Sequence, residues 1–280
     1  DATLNGLIPS KVPTRVGVAV SGGSDSFALL RLTWEWAQST GCQVYAVTVD
    51  HGLRPGSGQE AAGVANLCEI LGVHHDILHW ENWDQKGNLL DRARRVRIDL
   101  IGQWAGNHAI THVLSGHTMD DQGETVLMRL GRGSGVDGMS AIPASRQIDD
   151  VLWLRPLLGF EREELQAFLR EHEILWFDDP SNANPKYERI KIRQAMGILA
   201  TFGITPRGLA DTANRMTSAR QVLVQATAKA AGEVTESHFG DVFLGIDKFF
   251  DQLPETRRRL LQHCLKWVSG AEYVPRSASL

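Results

Sequence analysis

Val16-Gly17-Val18-Ala19-Val20-Ser21-Gly22-Gly23-Ser24-Asp25-Ser26 is the stretch that decides the fold. Val16–Val20 is a short β-branched run, which predicts a buried strand. Asp25–Thr40 carries Phe27, Leu29, Leu30, Leu32, Trp34 and Trp36 and stops at Gly41, as a helix would. Between them lies a turn of two glycines and three hydroxyls. Glycine permits φ > 0 and lets an anion approach the main chain. The first N–H groups of the following helix are unpaired and partly positive, so a phosphate is stabilised there without a side-chain cation. Ser21, Ser24 and Ser26 add hydroxyl donors around Gly22 and Gly23. Asp25 cannot donate when ionised; it suits helix capping or a Mg²⁺ ion beside phosphates. A plain capped helix would use the same residues. The GK[ST] ending of the P-loop kinases is missing, and so is GxGxxG.

Outward from this turn, strand and helix alternate. Strands are expected at Val44–Val49, Val73–Leu78 and Thr111–Leu114. Helices are expected at Glu60–Leu71, Leu89–Gly106 and Asp120–Leu130. This predicts an α/β fold with a parallel sheet, helices on both faces and right-handed crossovers. Ligands then bind beyond the carboxyl ends of the strands. Gly22, Gly23, Asp50 and Ser115–His117 all fall there.

After Gly131 the texture changes. Four glycines in Gly131–Gly138 suit a mobile loop. Val151–Leu154 reads as an edge strand, Glu161–Glu171 as a short helix, and Asp178–Pro185 as turns. From about Thr205 helical segments dominate (Leu209–Ala231 and Thr256–Val268), with a small strand at Val242–Ile246. Two domains are expected: residues 1–204, and a small, mainly helical one over 205–280.

Composition narrows the classes. The chain has 280 residues, 42% apolar and 22% charged, so a sizeable core needs no staples. No apolar run is long enough to span a membrane, and the start lacks the pattern of a secretory signal. Cys42, Cys68 and Cys264 are odd in number and form no CxxC pair, which disfavours a disulfide framework or zinc knuckle and makes the cytoplasm the default compartment. The net charge of −4 argues mildly against nucleic-acid binding. Local clusters count more: Arg92, Arg94, Arg95 and Arg97 on one helix, Arg129 and Arg132 by the glycine loop, and Arg189, Lys191 and Arg193.

His117, Asp121 and Glu124 carry the second constellation. A helix starting at His117 would put all three on one face at a strand's end. A solvated, dipole-favoured helix start would look the same, and a His/Asp/Glu metal site is another use of these residues.

SGGSDS after the first strand resembles the N-type ATP pyrophosphatases. Three further segments sharpen the resemblance: Asp50-His51-Gly52-Leu53-Arg54, Ala93-Arg94-Arg95-Val96-Arg97, and His117-Thr118-Met119-Asp120-Asp121-Gln122-Gly123-Glu124-Thr125. With Arg129-Leu130-Gly131-Arg132-Gly133-Ser134-Gly135 and Asp179-Pro180-Ser181-Asn182, Tyr187, Arg189 and Arg193, they are similar to the tRNA(Ile)-lysidine synthase family over roughly residues 15–200. The resemblance implies adenylation of the wobble cytidine of a tRNA(Ile) with CAU anticodon, followed by attack of free L-lysine, with ATP as substrate and Mg²⁺ as cofactor. Ser21–Ser26, Asp50 and His51 are then expected to bind ATP, with Asp25 at the metal. Asp121 and Glu124 are expected to hold and deprotonate the lysine amine, and His117 to orient a substrate. Arg94, Arg97, Arg132, Arg189 and Arg193 are expected to grip tRNA. Ile98, Ile190 and the mid-helix Gly123 depart from the family pattern. A homodimer is left open. The alternatives are a tRNA thiolase, a small-molecule amide ligase, and a non-catalytic nucleotide- or RNA-binding module.

Overall fold

A computed structural model describes residues 2–8, 12–52, 57–80, 89–177 and 188–270. The expected turns over 178–185, and Leu53, Arg54 and Tyr187 of the motifs, lie outside these residues. The chain divides into two compact units, residues 1–133 with 141–213, and 134–140 with 214–280.

The first unit is built on a six-stranded sheet. After α1 (Ala2–Leu7) come β1 (Arg15–Ala19), α2 (Ser24–Thr40), β2 (Gln43–Asp50), α3 (Ser57–Leu71), β3 (His74–His79), α4 (Leu89–Asn107), β4 (His112–Ser115) and α5 (Met119–Gly131). Beyond a short helix, α6 (Val136–Met139), the sheet resumes with β5 (Ser145–Ile148) and β6 (Val151–Leu154), followed by α7 (Arg162–Glu171) and α8 (Glu188–Thr201). The strand order is β3-β2-β1-β4-β6-β5. The first five are mutually parallel and β5 is antiparallel to β6.

Period-two alternation distributes the strand residues between two cores. Val16, Val18, Ala46, Leu114 and Leu154 face one side, where Phe27, Leu30 and Trp36 of α2, Val64 and Cys68 of α3, and Leu165 and Leu169 of α7 cover them. Val47, Val113 and Trp153 face the other, against Ile101, Trp104 and Ala105 of α4. Burial on both faces is why these strands are continuous apolar runs. Gly17 has a packing reason: a Cβ there would stand 2.8 Å from the Trp104 ring. Gly123 has one too, since a Cβ would lie 3.3 Å from Pro206 Cα. The first turn of the next helix, α9 (Pro206–Val234), thus lies close against α5. Ile98 packs into the α4-side core and Ile190 is buried on α8.

Two expectations are corrected here. Val151–Leu154 is not an edge strand, because β5 pairs outside it and is itself the edge. The segment Ser145-Arg146-Gln147-Ile148 carries no apolar alternation and is mostly exposed, which hid it. The glycine-rich stretch after Gly131 is not all loop, since Val136–Met139 closes a helical turn.

The second unit holds α6, the later turns of α9, a hairpin of β7 (Thr235–His238) and β8 (Asp241–Leu244), α10 (Ile246–Phe250) and α11 (Pro254–Ser269). Phe239 and Gly240 both have positive φ, the two-residue turn that matches strand twist. Ala230, Val234 and Leu260 form a small core. Arg259 is buried beside it and pairs with Glu255 at 2.8 Å and with Asp137. Among the described residues no helix is long and apolar enough to cross a membrane.

Candidate active site

The phosphate turn is held by its own residues. Ser26 Oγ donates to the Gly23 carbonyl at 2.9 Å and accepts from the Ser21 N–H at 3.2 Å. Gly22 has φ +89°, a conformation side chains resist, and its carbonyl accepts from the Phe177 N–H at 3.0 Å. Gly23 is the N-cap of α2 and supplies no side-chain cap bond. The helix's leading amides thus keep the polarity that favours an anion. Gly116, after β4, lets the next loop press on this turn: a Cβ there would stand 2.9 Å from the Asp25 carbonyl oxygen.

Asp25 leads away from the turn toward a second group. Its carboxylate accepts from Arg162 Nε at 3.0 and 3.3 Å, and Ser24 Oγ donates to it at 3.1 Å. Burial pushes the Asp25 carboxyl up, against the pull of Arg162. Arg162 begins α7, where its N–H donates to Asp120 at 2.8 Å. Its Nη2 reaches Asp121 at 3.5 Å and its Nη1 lies 4.0 Å from Glu124. The guanidinium therefore spans the phosphate loop and the start of α5.

Asp121 and Glu124 are both buried. Thr118 caps α5: its N–H donates to Asp121 Oδ2 at 2.8 Å, while the Asp121 N–H returns to Thr118 Oγ1 at 3.4 Å. Arg189 Nη2 donates to Asp121 at 2.8 Å. Arg189 Nε donates to Glu124 Oε2, and Arg193 Nε to Glu124 Oε1 at 2.8 Å. Three carboxylates thus meet three guanidinium groups, and the charges balance. Burial alone would raise the Asp121 carboxyl, but Arg189 and Arg162 outweigh it and hold it below the usual carboxylate range. Such a group is better suited to holding a cation than to taking a proton.

The helix does not start at His117. It starts at Met119, and His117 stands in the preceding loop, its Nδ1 3.1 Å from Ser115 Oγ. Thr118 is the stronger N-cap, so it sets the boundary. Burial drives the His117 imidazole down to about 4, with Asp121 pulling the other way. It is a neutral hydrogen-bonding group at pH 7. Asp50 ends β2 and accepts from the Gly52 N–H at 2.9 Å. His51 stacks edge-on to Trp80, and its buried Nδ1 has no hydrogen-bond partner among the described residues.

The arginines separate into two groups. Arg189 and Arg193 turn into the carboxylates, and Arg132 pairs with Glu188. Arg94 and Arg97 are exposed on α4. Sequence reasoning missed two more. One is Arg162, whose -Glu-Arg-Glu-Glu- setting looks like an ordinary helix start. The other is Arg155, directly after β6, buried, and donating to the Pro143 carbonyl at 2.8 Å. Burial, and then Arg94, Arg146 and Arg97, push its guanidinium down to about 10. Its Nε lacks a hydrogen-bond partner among the described residues. A polar residue closing an apolar strand was the available signal for it.

A glycine- and serine-rich turn at the carboxyl end of a parallel strand, opening a helix beside a buried charged cluster, is the arrangement of the PP-loop class of nucleotide-binding α/β proteins. Residues 1–198 match the PP-loop domain family. The chain is 44% identical over 277 residues to the tRNA(Ile)-lysidine synthase of Ruegeria pomeroyi, covering 99% of this chain and 66% of that protein. It is 37% identical over 286 residues to that of Hyphomonas neptunium, covering 100% and 76%. On these matches the chain belongs to the tRNA(Ile)-lysidine synthase family of PP-loop proteins. It spans about two thirds of the length of the first of these relatives. Among solved structures, the U34-tRNA thiolase NcsA of Methanococcus maripaludis has the same fold, with a TM-score of 0.64 at 17% identity over 77% of each chain.

Proposed function

We propose that this chain converts the wobble cytidine of tRNA(Ile) bearing a CAU anticodon to lysidine, using ATP and free L-lysine. The observation that carries the reading is the Arg162 bridge from Asp25 to Asp121 and Glu124. It joins the Ser21–Ser26 turn to a buried carboxylate pair, the two parts that an adenylation followed by amine attack requires.

In the first step the cytidine O2 attacks the α-phosphorus of ATP. An O–P bond forms, the bond to the β-phosphate oxygen breaks, and pyrophosphate leaves. The Ser21–Ser26 turn holds the departing phosphates with backbone N–H groups and hydroxyls, where negative charge grows. The carbonyl oxygen is a poor nucleophile, so positioning supplies much of the rate. In the second step the lysine ε-ammonium passes a proton to Glu124 and the neutral amine attacks C2; the C2–N bond forms, the C2–O bond to the phosphate breaks, and AMP leaves. Asp121 and Glu124 bind the lysine cation, displacing arginine counter-ions. Arg189 and Arg193 are released toward RNA phosphates, joining Arg94, Arg97, Arg132 and Arg155. Neutral His117, with Asp50 and His51, lines the nucleotide side. The wobble base must leave the anticodon stack to reach this pocket.

Hard oxygen donors suit Mg²⁺, and Asp25 with the Ser24 hydroxyl 3.1 Å away is such a pair. Asp25 would hold the ion once Arg162 yields one carboxylate oxygen. The ion would neutralise charge on the phosphates. A cytoplasmic setting follows from the tRNA substrate.

A thiolase mechanism fits poorly. Burial pushes the Cys42 thiol up to about 11 and Cys68 up to about 12, so neither is a ready thiolate. The deciding experiment supplies Mg-ATP, a tRNA(Ile) transcript with a CAU anticodon, and labelled lysine. Label in the tRNA with stoichiometric AMP and pyrophosphate is expected. Release of ADP, or modification that needs a sulfur donor, overturns the reading.

A further inference from the structure

We propose that His74, Asp76 and His108 form a zinc site at the amino-terminal end of the sheet, opposite the phosphate turn. All three belong to the first unit. His74 and Asp76 are two residues apart on β3, so they share a face. His75, between them, points the other way and bonds Thr48 Oγ1 at 2.9 Å. His108 follows the last residue of α4, where the helix returns to the sheet.

The donor atoms already converge. Asp76 Oδ2 lies 3.0 Å from His74 Nε2 and 3.1 Å from His108 Nε2, and all three donor atoms fall within 4.8 Å of one another. Zinc bonds of about 2.0–2.1 Å in a tetrahedron place ligand atoms roughly 3.3 Å apart. Small side-chain shifts therefore suffice to admit the ion.

The ligands are also held from outside. Trp104 Nε1 donates to Asp76 Oδ2 at 2.8 Å. The Tyr45 ring packs on both imidazoles, with centroids 5.2 and 5.4 Å away, and the Trp104 ring packs on His108. Arg15 Nη1 donates to the His108 carbonyl at 2.9 Å, fixing the backbone that carries the ligand. Supporting contacts of this kind keep metal ligands in one orientation. Two imidazoles and one carboxylate are a borderline-soft donor set that suits zinc over Mg²⁺ or Ca²⁺. The side chains are 51%, 33% and 28% exposed in residue order, so water can take the fourth position. Without metal, the same atoms form a hydrogen-bonded cluster in which a single carboxylate oxygen faces three nitrogen donors.

The test uses the full chain without an affinity tag, stripped with chelator and titrated with Zn²⁺ alone by calorimetry. Co²⁺ is added separately for its visible absorption. We expect one equivalent of zinc, a tetrahedral Co²⁺ spectrum, and zinc-dependent thermal stabilisation. His74→Gln and His108→Gln should each weaken binding at least about tenfold, with AMP release unchanged because neither residue lies in the active site. If His108→Gln does not fold, His74→Gln, at the more exposed ligand, carries the test. No stoichiometric binding in the parent overturns the proposal, as does zinc binding of unchanged affinity in His74→Gln. The ion would then sit on other groups, such as the Asp25 cluster.

Discussion

The phosphate turn and the carboxylate cluster stand beyond the carboxyl ends of neighbouring strands, β1 and β4, and are held by opposite means. The turn is fixed mainly by its own backbone and by hydroxyls no more than five residues apart in sequence, with one distant bond from the Phe177 N–H to the Gly22 carbonyl. The cluster is fixed by guanidinium groups 41 to 137 residues away along the chain from the carboxylates they hydrogen-bond. The first is a local, largely uncharged device that can exist before any ligand arrives. The second is a balanced set of buried charges, stable only while every partner is present. Arg162 is where they join.

The largest effect is expected at Arg162→Met. Removing it leaves Asp25 and Asp121 facing each other in a buried setting. A broken buried pair costs about 3–5 kcal/mol; the partial exposure of Arg162 places this loss near the lower figure. The urea midpoint should fall at constant m-value, and AMP release should fall about 100-fold or more. An unchanged midpoint would show that the cluster is not held by charge.

His117 sharpens the contrast through pH. Its folded pKa, about 4, lies below the ordinary 6.5. The unfolded chain therefore binds the proton more readily. The folded state is fully favoured above pH 6.5, loses stability as pH falls toward 4, and loses no more below that. The shift corresponds to up to about 3 kcal/mol. His117→Asn should remove this slope from the unfolding free energy between pH 6.5 and 4, measured against the parent.

Ser26→Ala tests the local device. The loss of one hydroxyl bridging Gly23 and Ser21 should cost about 1 kcal/mol and raise the KM for ATP, with the carboxylate cluster undisturbed. If it matched the Arg162 variant, the turn would depend on the cluster after all. Smallest for stability is Arg94→Ala, at an exposed position. It should leave the unfolding midpoint unchanged while weakening tRNA binding and reducing the salt slope by about 1, read from affinities across a salt series.

Much of this was legible along the chain. The alternation of strands and helices, and the turn at Ser21–Ser26, follow from periodicity and glycine chemistry over spans of ten to twenty residues. The edge strand β5 was not legible, because Ser145–Ile148 owes its strand state to pairing with Val151–Leu154 and not to its own pattern. The start of α5 was legible to within one residue, Asp120 expected against Met119 observed, but not that His117 stands outside the helix, which Thr118 settles by capping through its hydroxyl. Asp121 and Glu124 were legible as a pair on one helical face. What they face was not.

Periodicity and turn chemistry along the chain are enough to give the strand–helix alternation, the Ser21–Ser26 turn and the positions of the acidic pair, since each depends on near neighbours in sequence. Folding alone brings Arg162, Arg189 and Arg193 onto those acids, and His108 back to His74 and Asp76. Such contacts join residues from separate elements once packing has brought them together. Coulombic and hydrogen-bonding forces act on distance in space, which sequence separation does not encode.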